Sequence, residues 1–250
     1  MVEDYELITA QALADALNLS VETIWRYTRE KKIPFVELGN RQYRYRLLDV
    51  IGALTGSTIC EEVKTYGTKG KKLTYQDYLQ LPDEPGFRFE ILEGELIKEP
   101  SPNVMHQRVS RRLQRILEDY FWQIDSHGEV FNSPLDVTFN DFTVVQPDLL
   151  YVSGEHKNIT KEARIDGPPT LVVEILSPST SRKDRMEKRR IYQNGGVQHY
   201  WLVSPEEKTL ECFALQNGLY AVVATGMDND VIEHPNFPDL AIPLADLWQR

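Results

Sequence analysis

A chain of 250 residues has room for one large domain, or for a small one and a medium one. With 41% hydrophobic residues it can build a packed core, and no stretch is long and apolar enough to read as a membrane span. The net charge of −10 excludes a surface coated in base, yet seven Lys and Arg residues fall between Arg26 and Arg46 against two acids, Glu30 and Glu37.

The opening "MVEDYELITA" lacks the basic and then apolar layout of a secretory signal. Cys60 and Cys212 are far apart and form no CxxC, which fits free thiols in a reducing compartment. Cytoplasm is the expected location.

Residues 7–54 read as a compact helical unit. "ITAQALADALNLS" starts at Thr9 as an N-cap and sets Leu13, Ala16 and Leu17 on one face. Asn18-Leu19 turns the chain into Ser20, a second N-cap, with Glu22 in the first turn where the helix dipole favours it. "VETIWRYTREKK" places Val21, Ile24 and Trp25 inward. "PFVELGNRQYRY" is two short strands around a Gly39-Asn40 turn, and "LLDVIGAL" closes the unit as a short helix. Helix, tight turn, helix and hairpin make a winged helix-turn-helix.

On "LSVETIWRYTREKKIPFVELGNRQYRY" this segment resembles the excisionase and MerR-like DNA-binding domains. The resemblance implies a second helix in the major groove and a wing on the backbone. It nominates Thr23, Arg26 and Tyr27 for base or phosphate contacts, and Arg41 and Arg44 for the wing. The domain expected is 1–54, followed by a linker at 55–72 where hydrophobic periodicity stops and Gly, Thr, Ser and Lys gather.

From residue 73 to 250 the pattern becomes α/β. "LTYQDYLQLP" is a short helix, and "FRFEILEGELIKEP" a hairpin around Glu93-Gly94. "NVMHQRVSRRLQRILEDYFWQI" is a long helix with Met105, Val109, Leu113, Ile116, Leu117 and Tyr120 as its apolar stripe. Strands follow near "GEVFNSPLDVTF", "TVVQPDLLYV" and "TLVVEIL", then the helix "SRKDRMEKRRIYQNGG", then strands at "HYWLV" and "LECFAL".

Two acids sit in strands that are otherwise apolar, Asp148 and Glu174. Pro147 cannot donate to a sheet ladder, so its strand is expected to be bulged or at an edge there, which would re-aim Asp148. If the two strands are neighbours the carboxylates converge, and a cation is then implied. Oxygen-only ligands favour Mg²⁺ or Mn²⁺ over zinc. Asp184, Lys188 and Tyr192 lie four apart on the following helix, where Lys188 can point back toward Glu174. On the residues alone two accounts of Glu174 stay open: a metal ligand, or a core acid satisfied by a Tyr or Arg.

The motifs "FEILEGELI", "SPNVMHQRV", "VVQPDLLYV", "LVVEILSPST", "RKDRMEKRRIY" and "GGVQHYWLVSP" occur in order, and on them residues 73 to 248 resemble the Uma-two family. That family is a branch of the PD-(D/E)XK restriction-endonuclease-like superfamily. The resemblance implies a mixed sheet core with flanking helices and a divalent metal, Mg²⁺ or Mn²⁺, held by Asp148 and Glu174, with Glu90 completing the shell and His106 at its edge. The superfamily's lysine two residues after the glutamate is Leu176 here, which nominates Lys188 on the helix instead. Asp184 supports the site. The basic residues around it (Arg182, Lys183, Arg185, Arg189, Arg190) can line a phosphate path or form a solvated face.

The expectation is a metal-dependent DNA endonuclease targeted by an N-terminal DNA-binding domain. The alternative is a catalytically silent DNA-binding regulator on a nuclease fold. DNA is the expected partner, no membrane is expected, and a homodimer is left open.

Overall fold

The computed structural model describes residues 7–17, 19–37, 43–47, 50, 53, 72–177 and 184–249. The chain divides into two compact units, Met1–Lys64 and Thr65–Arg250.

In the first unit helix α1 (Ala10–Leu17) begins where the Thr9 hydroxyl accepts the Ala12 N–H, and α2 (Val21–Arg29) where the Ser20 hydroxyl accepts the Thr23 N–H. Strands β1 (Val36–Glu37) and β2 (Tyr43–Arg44) pair antiparallel as the wing. The Gly39-Asn40 turn lies outside the described residues, as does most of the closing helix and of the linker.

The core is Leu13, Ala14, Ile24, Ile33, Tyr45 and Val50. Two inward expectations fail: Ala16 is exposed, and Trp25 is 51% exposed. Thr28 takes the inward place on α2. Its hydroxyl donates to the Ile24 carbonyl at 2.8 Å and accepts from the Tyr45 hydroxyl at 2.8 Å. The inward stripe therefore runs Val21, Ile24, Thr28, with Trp25 on the flank.

The second unit opens with α3 (Tyr75–Tyr78), closed by a reciprocal capping box between Thr74 and Asp77. The hairpin β3 (Phe87–Leu92) and β4 (Glu95–Pro100) turns at Glu93 (φ 52°) and Gly94 (φ 95°). Two successive left-handed residues match the right-handed twist of the strands and fix the register, Leu92 opposite Glu95 and Arg88 opposite Glu99. Helix α4 (Val104–Ile124) starts at Asn103, whose side-chain oxygen accepts the His106 N–H at 2.9 Å.

The strands that follow are β5 (Glu129–Asn132), β6 (Val137–Asn140), β7 (Thr143–Val145), β8 (Leu149–Val152), β9 (Ile165–Asp166) and β10 (Leu171–Ile175). A π-helical turn (Asp184–Lys188) leads into α5 (Arg189–Gly195). Then come β11 (His199–Ser204), β12 (Thr209–Gln216), β13 (Leu219–Met227), β14 (Val231–Glu233), β15 (Ala241–Pro243) and α6 (Leu244–Trp248).

Six strands form one sheet in the order β13-β12-β11-β10-β8-β5, with β10 and β11 parallel and the other pairs antiparallel. Five form a second, β4-β3-β7-β6-β9. This is the mixed α/β architecture expected. Several elements differ from expectation. "TVVQPDLLYV" is two strands rather than one, because β7 belongs to the second sheet and β8 to the first. Pro147, without an N–H, sits in the crossover, and β8 is an interior strand between β10 and β5. Strand β13 shows no clean alternation because it is the edge of its sheet, with Leu219, Val222 and Met227 exposed. The chain also adds β13, β14, β15 and α6 beyond the two strands expected after α5.

Helix α4 packs Val109, Leu113, Leu117 and Phe121 on one face of the six-stranded sheet, against Leu149, Leu171, Val173 and Ile175. The opposite face, with Leu150, Val172, Leu176 and Leu202, meets Leu92, Ile97, Val137 and Val145 of the second sheet and Ile191 and Tyr192 of α5. Since Asn103 fixes the first turn of α4, Asn103→Ala should lower unfolding free energy by about 1 kcal/mol in urea denaturation. A variant as stable as the parent would show that packing alone sets the start of the helix.

Candidate active site between the two sheets

Period two places the site. Val172, Glu174 and Leu176 point from the six-stranded sheet into the layer between the sheets. Glu90 precedes Leu92 by two on β3, and the hairpin register puts Arg88 and Glu99 on that same face. Glu90 and Glu174 therefore approach one another from opposite sheets. A carboxylate in such a layer loses several kcal/mol of hydration, so each needs a partner.

Lys188, the last residue of the π turn, is fully buried between them. Its amine lies 2.9 Å from Glu90 Oε1 and 3.3 and 3.4 Å from the two oxygens of Glu174. One turn on, the Tyr192 hydroxyl donates to Glu174 Oε1 at 2.5 Å. Burial and the charges of Glu174 and Glu90 push the Tyr192 phenol well above its ordinary value, so it remains a donor. The Gln146 N–H donates to Glu90 Oε1 at 2.7 Å. Glu90 Oε2 is buried with no hydrogen-bond partner among the described residues. The π turn sets Lys188 and Tyr192 on one carboxylate, a use of wide turns common at functional sites. Of the expected stripe, the Asp184 side chain lies outside the described residues.

Asp148 stands at the crossover after Pro147. Its Oδ2 accepts the Ile175 N–H at 2.8 Å and lies 3.0 Å from His106 Nε2, while Oδ1 accepts from Arg88 Nη1 at 3.2 Å. Asp148 thereby takes the backbone amide next to Glu174. Burial alone would raise its carboxyl. The His106 hydrogen bond, the Arg88 guanidinium and the Ile175 N–H outweigh that and hold it at about 2. Arg88 also grips Glu99 Oε2 through Nε and Nη2, at 3.1 and 3.0 Å. Burial disfavours the charged guanidinium, but Asp148, Glu99, Glu90 and Glu174 together keep it charged.

Among the described residues, four buried carboxylates (Glu90, Glu99, Asp148, Glu174) meet two basic side chains, Lys188 and Arg88. Counted over the described residues alone, the formal charges of these groups leave the carboxylates in the majority. The donors are oxygens, one of them, Glu90 Oε2, unpartnered. That set suits a hard divalent cation such as Mg²⁺ better than zinc. Among the described residues no three His, Cys, Asp or Glu side chains stand in a ready cage, so a bound ion would have to displace contacts now made by Lys188, Arg88 or His106.

The structure brings Glu90, Glu174 and Lys188 together directly and Asp148 beside them with His106. Arg88 and Glu99 were missed. The signal for them was present, because a two-residue turn at Glu93-Gly94 aligns Arg88 with Glu99 on the face of Glu90. Of the basic run, Arg182, Lys183 and the side chain of Arg185 lie outside the described residues; Arg190 pairs with Glu93 at 2.5 Å, and Arg189 lies over the Phe213 ring.

In the first unit, the half-buried Thr23 turns its hydroxyl to Ser20 at 3.0 Å. Arg26 is exposed, with its guanidinium 5.4 Å from the centre of the half-buried Tyr27 ring. Arg44 donates to the Tyr43 carbonyl at 3.0 Å, and Arg41 lies outside the described residues. No helix among the described residues is long and apolar enough to cross a membrane.

Two mixed sheets with a buried acid-lysine cluster between them, joined to a winged helix-turn-helix, define a restriction-endonuclease-like chain with a helix-turn-helix domain. The chain belongs to the Uma2 family, described as "Putative restriction endonuclease", which matches residues 75–245. Residues 7–54 match the family described as "Helix-turn-helix domain". Two uncharacterized proteins of Synechocystis sp. are similar. One, slr1290, is 28% identical over 144 residues, 57% of this chain and 74% of that protein. The other, sll1609, is 26% identical over 135 residues, 53% of this chain and 75% of its own. The crystal structure described as a "putative nuclease belonging to DUF820" from Anabaena variabilis shares the fold. Its TM-score is 0.58 at 22% identity, over 70% of this chain and 97% of that one.

Removing Lys188 leaves two buried carboxylates facing each other. Lys188→Met should cost about 3–5 kcal/mol of unfolding free energy in chelator-containing buffer, and adding Glu90→Gln should recover much of it. Urea denaturation of the two variants decides. An undamaged Lys188→Met would mean that water, not Lys188, compensates the pair.

Proposed function

We propose that the protein is a divalent-metal-dependent DNA endonuclease, brought to DNA by its helix-turn-helix unit. The observation that carries this is the convergence of Glu90, Asp148 and Glu174, all buried, around a lysine that is itself fully buried. A protein built for stability alone gains little from such a cluster, since apolar residues of similar volume would serve as well or better.

Asp148, Glu174 and Glu90 are the residues that would hold Mg²⁺ or Mn²⁺. When bound, such an ion polarises the scissile phosphate and lowers the pKa of an attacking water. The chain's own groups prepare the place. Tyr192 fixes the orientation of Glu174, and Arg88 and His106 fix that of Asp148 while keeping it ionised. Lys188 spans Glu90 and Glu174 and holds the two carboxylates in place beside each other. Arg26, Arg44 and the other basic residues of the first unit would meet the DNA backbone, with Thr23, Tyr27 and Arg41 completing that surface.

A second reading, a DNA-binding regulator without catalysis, is favoured by one observation. Leu176 stands where the superfamily has its lysine, and Asp148 and Glu174 already have partners within the protein. Nicking of supercoiled plasmid with Mg²⁺ or Mn²⁺ separates the two. The endonuclease should cut, and Glu174→Gln and Asp148→Asn should each lower the rate by about a hundredfold or more. A folded wild type that cuts with neither ion supports the regulator.

A further inference from the structure

Helix α4 carries a feature that the acid-lysine cluster does not use. From Val104 to Leu117 it holds Arg108, Arg111, Arg112 and Arg115 and no acid, inside a chain of net charge −10. Arg112 donates to the carbonyls of Leu247 and Gln249 and belongs to the packing of the C-terminal segment. Arg115 lies 3.8 Å from Asp119. Arg108 and Arg111 are exposed and have no acidic partner among the described residues. No acid stands three or four positions from either on the helix, so no local pairing is available to them.

These two arginines line a groove of about 480 Å³ together with Gln107, Gln114 and Asn132. Its polar lining is cationic or neutral, without a carboxylate. Two of the groove's edges neighbour the Asp148 end of the cluster along the chain. Gln107 and Arg108 follow His106, whose ring meets Asp148, and Asn132 precedes Ser133, whose N–H donates to the Asp148 carbonyl at 3.1 Å.

We infer that this groove seats the phosphodiester backbone of a DNA strand and leads it to the Asp148 side of the cluster. The inference rests on the endonuclease reading and adds to it a substrate path. Guanidinium forks match phosphate oxygens in pairs, and amide side chains supply neutral donors to phosphate and sugar. Such contacts position a strand without reading its bases. On the basic run after Glu174, Arg190 is paired with Glu93.

The test is fluorescence anisotropy of a labelled duplex oligonucleotide with the full chain, in chelator-containing buffer over a range of KCl. Each phosphate contact contributes close to one unit to the slope of log affinity against log salt. Arg108→Ala/Arg111→Ala should therefore flatten that slope by about 2 and weaken binding. Arg115→Ala should leave the slope unchanged, and Arg108→Lys/Arg111→Lys should retain most of it. Circular dichroism checks folding. Wild-type binding with an unaltered slope in the double alanine variant overturns the groove alone. A wild type that binds no duplex overturns the DNA reading beneath it. A flattened slope in a protein that never nicks plasmid keeps the groove as a DNA surface and removes only the catalytic step.

Discussion

The second unit is organised around one amine. Lys188 is fully buried, and so are the carboxylates of Glu90 and Glu174 on either side of it. Desolvating each of these charges costs several kcal/mol, which their attraction repays only with good geometry and with hydrogen bonds on the remaining atoms. Tyr192 and the Gln146 N–H supply such bonds. Because Glu90 comes from one sheet, Glu174 from the other and Lys188 from the turn before α5, the amine ties three elements together. Their relative positions are specified more narrowly than apolar contact between sheets would require.

That tie also explains the oddities around it. The π turn ends on Lys188, and the crossover at Pro147 moves the chain from the second sheet to the first just before Asp148. Both are local departures from regular structure, and both deliver a charged side chain to the same layer. Arg88 extends the network to Glu99 and Asp148, and His106 connects it to the start of α4. The groove on α4 is lined by Gln107 and Arg108, the residues that follow His106 in the chain.

Much of this was legible in the residues. An acid inside an apolar strand is costly, so Glu174 and Asp148 stood out, and Lys188 and Tyr192 followed from the four-residue spacing on the next helix. The Glu93-Gly94 turn dictated the hairpin and, with it, the face shared by Arg88, Glu90 and Glu99. What was not legible depended on tertiary choices. A proline between two apolar runs looks the same whether the strand bulges or changes sheets. Strand β13, at a sheet edge, had no need for the alternation that marks a half-buried strand. Trp25 is as apolar as Ile24, but Thr28 holds the inward place through its bond to Tyr45, seventeen residues away in sequence.

The central claim is that the carboxylates gathered between the sheets are there to hold a divalent cation. Titration of the full chain with Mn²⁺, followed by loss of the free-ion paramagnetic resonance signal, addresses it without reference to cutting. The account predicts saturable binding of a single ion, lost in Glu174→Gln and in Asp148→Asn and retained in Arg108→Ala. A wild type that binds no Mn²⁺, or variants that bind it as well as the wild type, would contradict the claim and leave the cluster as a structural charge network.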